Sequence, residues 1–176
     1  YLVKLSSSAL SMSDSKEIST LLHTIGDFER LGDHAVNLLK TAKEITDKEI
    51  VFSDDAGKEI DTLTDAIQNI LTITVDSFTS GDLEHAIDVE PLEQVIDELI
   101  TTIKANHIRR LQHGNCTIEL GFVLSDLLTN YARISDHCSN IAVAMIEVAQ
   151  NSFDTHEYLN SIKTMENEEF KKRFQK

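Results

Sequence analysis

Residues 27–38 read DFERLGDHAVNL, and residues 130–141, which lie 103 positions further along, read NYARISDHCSNI. Both stretches carry arginine, aspartate, histidine and asparagine at equivalent positions. The matched pairs are Arg30 with Arg133, Asp33 with Asp136, His34 with His137, and Asn37 with Asn140. Self-similarity at a fixed distance is typical of structural duplication. The sequence therefore predicts two copies of one helical unit.

The hydrophobic pattern predicts an all-α protein. The chain has one proline and six glycines, and its apolar residues recur at helical spacing. Long helices are expected from Ser13 or Asp14 to about Thr46, over about 54–79, from about Ala86 to Leu111, and from about Thr117 to Ala149. Pro91 predicts a kink or a late start in the third helix. The β-branched run ILTITV, residues 70–75, argues against the second helix.

Composition restricts the possible partners. The chain has 176 residues and 41% hydrophobic content, enough for a core. Sixteen basic and thirty acidic residues give a formal charge of -14, which disfavours binding to nucleic acid or anionic lipid. No apolar run approaches the roughly 18 residues of a membrane span. Cys116 and Cys138 are expected on one helix about 33 Å apart, too far for a disulfide, and indicate a reducing compartment.

An acidic stripe interrupts the apolar face of the first motif helix. Glu29, Asp33 and Asn37 fall within about 80° of arc on an ideal helix. Their predicted face also contains the apolar residues Ile18, Leu22, Ile25 and Val36. A helix that presents carboxylates among apolar residues needs a partner for that charge.

The same interruption recurs twice. Asp136 and Asn140 share a predicted face with Ile118, Phe122 and Val143. On the preceding helix, Glu93 and Asp97 repeat the spacing on the face of Ala86, Ile108 and Leu111, and Glu90 lies one turn away. An antiparallel hairpin centred near Gly114 and Asn115 would bring Glu93 opposite Asp136, and Asp97 opposite position 132.

Carboxylates brought together in this way repel one another unless a cation joins them. Hard divalent or trivalent ions prefer oxygen ligands, so the stripes predict a metal-binding surface. The candidate ligands are Glu29, Asp33, Asn37, Glu93, Asp97, Asp136 and Asn140. Mn and Mg fit such ligands as well as iron and zinc do.

Ordinary ion pairing is the alternative interpretation of the aspartates. Arg30 with Asp33 and Arg133 with Asp136 are i, i+3 pairs that could lie at the edge of a stripe. Asp61 and Asp65 share the acidic spacing and are interpreted as a solvated face. His34 and His137 each follow the aspartate directly and point about 100° away from it, so a surface or packing role is favoured. His23 and Asp27 have ligand-like spacing but do not make a site alone.

The two motifs resemble the E-R-I-G-D-x-A-x-N-I signature of the PhoU family, and the helix with Glu93 and Asp97 resembles that family's acidic partner helix. The resemblance covers most of residues 1–150. It implies two similar three-helix bundles that hold multinuclear iron or zinc clusters. It also implies a role in regulating phosphate uptake and no catalysis.

The sequence departs from the family pattern at two positions. Ala132 occupies the position of the second motif's glutamate, which removes one expected ligand, and Ser135 replaces a glycine. The expected organisation is a partial first bundle over residues 1–50, a complete second bundle over 54–150 and a charged helical tail over 151–176. The first bundle's hairpin turn is expected near Ser11, with the helix that faces Asp33 before Tyr1.

YLVKLSS at residues 1–7 and FDTHEYLNSIK at residues 153–163 look like the cytoplasmic PhoU-like extension of bacterial sodium/phosphate cotransporter relatives. The main hypothesis is therefore a metal-binding regulatory domain at the inner face of the membrane. Its expected partners are metal ions, the transporter's membrane region in the same or a partner chain, and a second copy in a homo-oligomer, but no nucleic acid. A free-standing PhoU-type regulator is the alternative. A structural helical adaptor and a di-iron carboxylate enzyme are less favoured, the latter because the chain has no Glu-x-x-His motif.

Overall fold

The computed structural model describes residues 3–4 and 11–150, and regular structure in residues 11–150 is helical throughout. The helices are α1 (Met12–Asp47), α2 (Asp54–Ser80), the short α3 (Leu83–Ala86), α4 (Val89–Gln112) and α5 (Ile118–Gln150). The expected all-α class is confirmed, and the helix bounds agree closely with those predicted. The tail over 151–176 and the segment before Ser11 lie outside the described residues, apart from Val3 and Lys4.

Polar side chains and glycines set the helix ends. The Ser11 hydroxyl accepts a hydrogen bond from the Asp14 N–H at 3.1 Å, so it caps α1. The Ser53 hydroxyl accepts one from the Ala56 N–H at 3.3 Å and caps α2. At the other end of α2, Gly81 has a φ of 71°, a left-handed conformation that glycine adopts without steric cost.

Pro91 explains why the third predicted helix is divided in two. Helix α4 begins at Val89, so Pro91 lies in the first helical turn, where a backbone N–H has no acceptor within the helix. Asp82 caps the short α3, since its carboxylate accepts from the Glu84 and His85 N–H groups at 2.9 and 3.2 Å. The late start predicted from Pro91 is therefore confirmed.

The β-branched run at residues 70–75 is helical, although its composition argues against a helix there. Ile70 and Thr74 are buried in the interior of the bundle, and the Thr74 hydroxyl donates to the Ile70 carbonyl at 2.7 Å. Burial of this face outweighs the small helix preference lost by branching at Cβ.

Helices α2, α4 and α5 pack together as a three-helix bundle. Their inward faces supply fully buried aliphatic side chains: Leu63, Ile70, Val89, Ile96, Leu128 and Ile141. Polar contacts also join the helices. Glu59 on α2 accepts two hydrogen bonds from the Arg110 guanidinium at 2.9 and 3.1 Å, and one from the Asn106 amide at 2.8 Å.

Helix α1 packs antiparallel along another side of α5. Lys16 near the start of α1 donates to the carbonyl of Ala149 near the end of α5 at 3.2 Å. Phe28 of α1 also contacts Phe78 of α2 edge-on, with ring centroids 4.8 Å apart. None of the described helices is long and apolar enough to cross a bilayer.

Two isoleucines on α4 test where the core lies. Ile96 is 0% exposed and Ile108 is 55% exposed. We expect Ile96→Ala to lower the free energy of unfolding by about 3 kcal/mol, because it leaves a cavity between three helices. Ile108→Ala should change it by less than about 0.5 kcal/mol. Urea denaturation followed by circular dichroism measures both, and equal losses would contradict the assigned core.

Candidate functional site

An acidic pocket of about 320 Å³ lies between α4 and α5. It is lined by Glu90, Glu93, Arg133, Asp136, His137, Ser139 and Asn140. Three of the seven predicted ligands, Glu93, Asp136 and Asn140, therefore share one pocket. The hairpin register predicted that Glu93 would meet Asp136, and the structure places both in its wall.

The carboxylates of this pocket already have polar partners. The Arg133 guanidinium lies 3.2 Å from the Asp136 carboxylate, and both side chains are exposed at the pocket rim. Deeper in the pocket, the buried Ser139 hydroxyl donates to the buried Glu90 carboxylate. The structure thus contains the Arg133–Asp136 pair of the alternative interpretation as well as the converging acids.

Asp97 is not part of this pocket. It is exposed and lines a separate surface depression with Glu98, Thr101 and Thr102. Residues four apart on an ideal helix are offset by about 40°, and this rotation takes Asp97 away from the interface that buries Glu93. Glu93 and Asp97 therefore line two different depressions of the surface.

Glu29 and Asp33 are also exposed, and they lie on α1, away from the acidic pocket. Asn37 is half-buried, and its side-chain oxygen accepts a hydrogen bond from Lys40 at 3.4 Å. The predicted apolar face around them is mostly uncovered by the described residues, since Ile25 is 61% exposed. Helix α1 has apolar residues on more than one side, and α5 covers only the side that carries its buried residues.

Within residues 3–4 and 11–150, no three histidine, cysteine, aspartate or glutamate side chains lie close enough to hold a metal ion together. The site predicted from Glu93, Asp97, Asp136 and Asn140 has oxygen donors suited to a metal ion, but the structure does not preform a coordination sphere from them. The first site, Glu29 with Asp33 and Asn37, has two exposed carboxylates on one helix. Metal binding stays a prediction.

A polar network that the sequence did not reveal joins α1 to α5. His34 donates to the Asn130 side-chain oxygen at 2.9 Å, and His137 donates to the Asp27 carboxylate at 2.8 Å. The two imidazole rings stack with centroids 5.6 Å apart. Asn140 also donates to Asp27, at 3.2 Å.

This network follows the internal repeat. Asp27 and Asn130 occupy equivalent positions in the two copies, as do His34 and His137. Each histidine bonds to the other copy's residue, which is the reciprocal pattern of a two-fold interface. The favoured packing role of the histidines agrees with this geometry, and the repeat was the signal that could have revealed it.

The acidic pocket and the histidine network share two residues, His137 and Asn140. Both are bonded to Asp27 on α1. A change in the pocket that moves either side chain therefore reaches the α1–α5 interface directly.

Residues 60–145 match the model of the PhoU domain. The chain is therefore similar to the PhoU domain over just under half of its length. The matched stretch begins in α2 and ends in α5, so it covers the three-helix bundle and its acidic pocket. The expected resemblance is confirmed at the level of the domain family.

Curated relatives have the same family name. The chain is 26% identical over 136 residues to the phosphate-specific transport system accessory protein PhoU homolog 1 of Thermotoga maritima, which covers 76% of this chain and 58% of that protein. It is 29% identical over 114 residues to the PhoU homolog of Caulobacter vibrioides, and the match covers 65% of this chain and 49% of that protein. The chain thus spans about half the length of these relatives. No solved structure matches the chain.

The names of these relatives describe accessory proteins of a transport system. They favour the alternative of a free-standing PhoU-type regulator over the cotransporter extension that was the main hypothesis. The flanking segments that suggested the cotransporter lie almost entirely outside the described residues.

Asp27 tests the network between α1 and α5. Its side chain is 19% exposed and accepts hydrogen bonds from His137 and Asn140. We expect Asp27→Ala to lower the free energy of unfolding by about 2 kcal/mol, because two partly buried donors lose their acceptor. Urea denaturation measures the loss. Asp33→Ala is the matched control, since Asp33 is exposed on the same helix, and a comparable loss in both variants would contradict the network's role.

Proposed function

We propose that this chain is a PhoU-type accessory protein that regulates phosphate uptake by binding to a phosphate transporter at the cytoplasmic face of the membrane. The observation that carries the proposal is the PhoU match over residues 60–145, which contains the bundle and its acidic pocket. The relatives named as accessory proteins of phosphate-specific transport support it. The proposed action is binding and not catalysis.

The net negative charge of the chain favours a partner that presents a basic surface. The formal charge of -14 gives the chain a negative field, and such a field speeds encounter with positive surfaces and slows encounter with negative ones. The exposed carboxylates of α1, including Glu29 and Asp33, contribute to it. A transporter segment rich in lysine and arginine fits this surface, and its binding would weaken as salt is added.

Deletion of the gene in its own bacterium tests the regulatory role. We expect phosphate uptake, measured with radiolabelled phosphate, to stop responding to the phosphate supply in the deletion strain. Restoring the wild-type gene should restore the response. A deletion strain whose uptake falls normally in phosphate-rich medium would contradict the proposal.

A PhoU-like extension of a sodium/phosphate cotransporter is the second candidate. The resemblance of residues 1–7 and 153–163 to that class favours it. Both candidates place the bundle beside a transporter, but only the extension requires membrane spans in the same polypeptide. The sequence of the complete gene distinguishes them.

We also propose that the acidic pocket binds a multivalent cation that accepts oxygen ligands, of which iron, zinc, manganese and magnesium are the candidates. Glu93, Asp136 and Asn140 offer oxygen donors from two helices. The Arg133 guanidinium already neutralises Asp136, so an incoming cation has to displace it. The absence of the expected glutamate at Ala132 also reduces the number of ligands, and we therefore expect weak binding.

A titration of the apo protein with Zn²⁺ and Mn²⁺ tests the pocket. The double variant Glu93→Gln, Asp136→Asn should bind at least about tenfold more weakly than wild type, because it removes charged oxygen donors. Arg133→Gln should bind more tightly, since the competing cation is gone.

The matched control is Asp61→Asn with Asp65→Asn, an exposed pair one helical turn apart on α2. It changes the net charge equally but lies outside the pocket. Calorimetry gives all the affinities. Equal weakening in the pocket and control variants would show a general effect of charge and would reject the pocket as the site.

A further inference from the structure

The turn between α4 and α5 holds a cysteine and a histidine in contact. Cys116 is half-buried and lies two residues before α5 begins. Its sulfur is 3.4 Å from Nδ1 of His107, which belongs to the last turns of α4. This is hydrogen-bond distance for a thiol and an imidazole nitrogen. The predicted place of Cys116 on the helix of Cys138 is wrong, because Cys116 precedes that helix.

The imidazole of His107 is in its basic form near neutral pH. The side chain is 9% exposed, and burial lowers its pKa from the ordinary value, with the positive charge of Arg110 adding to the effect and Glu59 opposing it. A neutral imidazole beside a thiol can accept its proton. The same burial limits how stable the imidazolium becomes, so the expected activation of the thiol is moderate.

Gly121 on α5 fixes the position of this ring. A Cβ at position 121 would lie 2.7 Å from Nε2 of His107, which is too close for any side chain. Nε2 itself is buried and has no hydrogen-bond partner among the described residues. The ring is therefore positioned by its close approach to Gly121 and by the contact of Nδ1 with the sulfur of Cys116.

The other cysteine provides an internal contrast. Cys138 is fully buried at the centre of α5, and burial raises the pKa of its thiol to about 11. A thiol in that environment is inert, because it is neither ionised nor accessible. Of the two free cysteines, Cys116 alone combines exposure to solvent with an adjacent base.

We propose that Cys116 is a site of reversible thiolation by small-molecule disulfides, with His107 as the base. The sulfur of Cys116 attacks one sulfur of the disulfide while Nδ1 of His107 takes the thiol proton. A new sulfur–sulfur bond forms, the disulfide bond of the reagent breaks, and the departing thiolate takes the proton from the imidazolium. The small disulfide is the only co-reactant, and a second thiol reverses the step.

The modification would act at the α4–α5 turn. A thiolated Cys116 no longer has a thiol proton for its contact with His107, and its adduct lies two residues before Ile118, which is exposed at the start of α5. The adduct therefore changes the surface at this end of the bundle. The proposal does not depend on the proposed regulation of phosphate uptake.

Kinetics of the reaction with an aromatic disulfide, 5,5′-dithiobis(2-nitrobenzoate), test the proposal through the colour of the released thiolate. Cys138→Ser leaves Cys116 as the single thiol. In this background we expect His107→Asn to slow the reaction about tenfold, because the base is lost. Gly121→Ala should slow it similarly, since its methyl group displaces the ring while His107 is retained.

The guanidinium-unfolded single-thiol protein provides a reference that needs no further variant. The effect of the denaturant on the reaction rate is measured with a small thiol and divided out. After this correction, the unfolded chain should react more slowly than the folded one. Mass spectrometry with oxidised glutathione should place one adduct on Cys116 of the wild-type protein. An adduct on Cys138, a folded rate at or below the unfolded rate, or a His107→Asn rate within about twofold of its parent would overturn the proposal.

Discussion

The packing of α5 between α1 on one side and α2 with α4 on the other determines where each candidate functional residue lies. A helix buried on two sides has few positions at which polar groups can reach solvent, and its remaining polar groups need partners. Asp136 and Asn140 occupy the narrow strip that stays accessible, beside the pocket formed with α4. His137 turns toward α1 and is bonded to Asp27. The acidic pocket is thus a consequence of how α5 is enclosed.

The duplication makes the contrast between the two copies informative. Leu128 on α5 is 1% exposed, whereas its equivalent on α1, Ile25, is 61% exposed. The two helices have similar motifs, but among the described residues α5 packs against α1, α2, α3 and α4, whereas α1 packs mainly against α5. The motif therefore forms a pocket in one copy and an open surface in the other. This difference explains why equivalent acids, Asp33 and Asp136, have different environments.

Local sequence signals predicted the helices because those signals act over a few residues. Ser11 and Ser53 cap helices, and Pro91 sets the start of α4. The hairpin register also brought Glu93 to Asp136, since two antiparallel helices with a short turn have little freedom to slide. These parts of the fold and of the site depend on the number of residues between positions along the chain, which can be read from the sequence.

The missed features depend on rotation about the helix axes and on long-range packing. Asp97 leaves the pocket because a four-residue step rotates about 40°, and a linear register does not include this rotation. The face of α1 around Ile25 was expected to be an interior stripe, but hydrophobic periodicity does not say which neighbour is present. The contact of Cys116 with His107 joins residues across a turn and exists because Gly121 admits the ring.

The ion pair at the pocket rim connects these observations to regulation. Arg133 and Asp136 are one helical turn apart and exposed, so their attraction contributes about 0.5 kcal/mol and is weakened by salt. A contact of that strength can be exchanged for a cation or for a basic group of a partner that interacts more strongly with Asp136. Asp136 is flanked by His137, whose bond to Asp27 reaches α1. Asp136 and His137 line the same pocket, so in the proposed function an exchange at Asp136 takes place beside the side chain that joins α5 to α1.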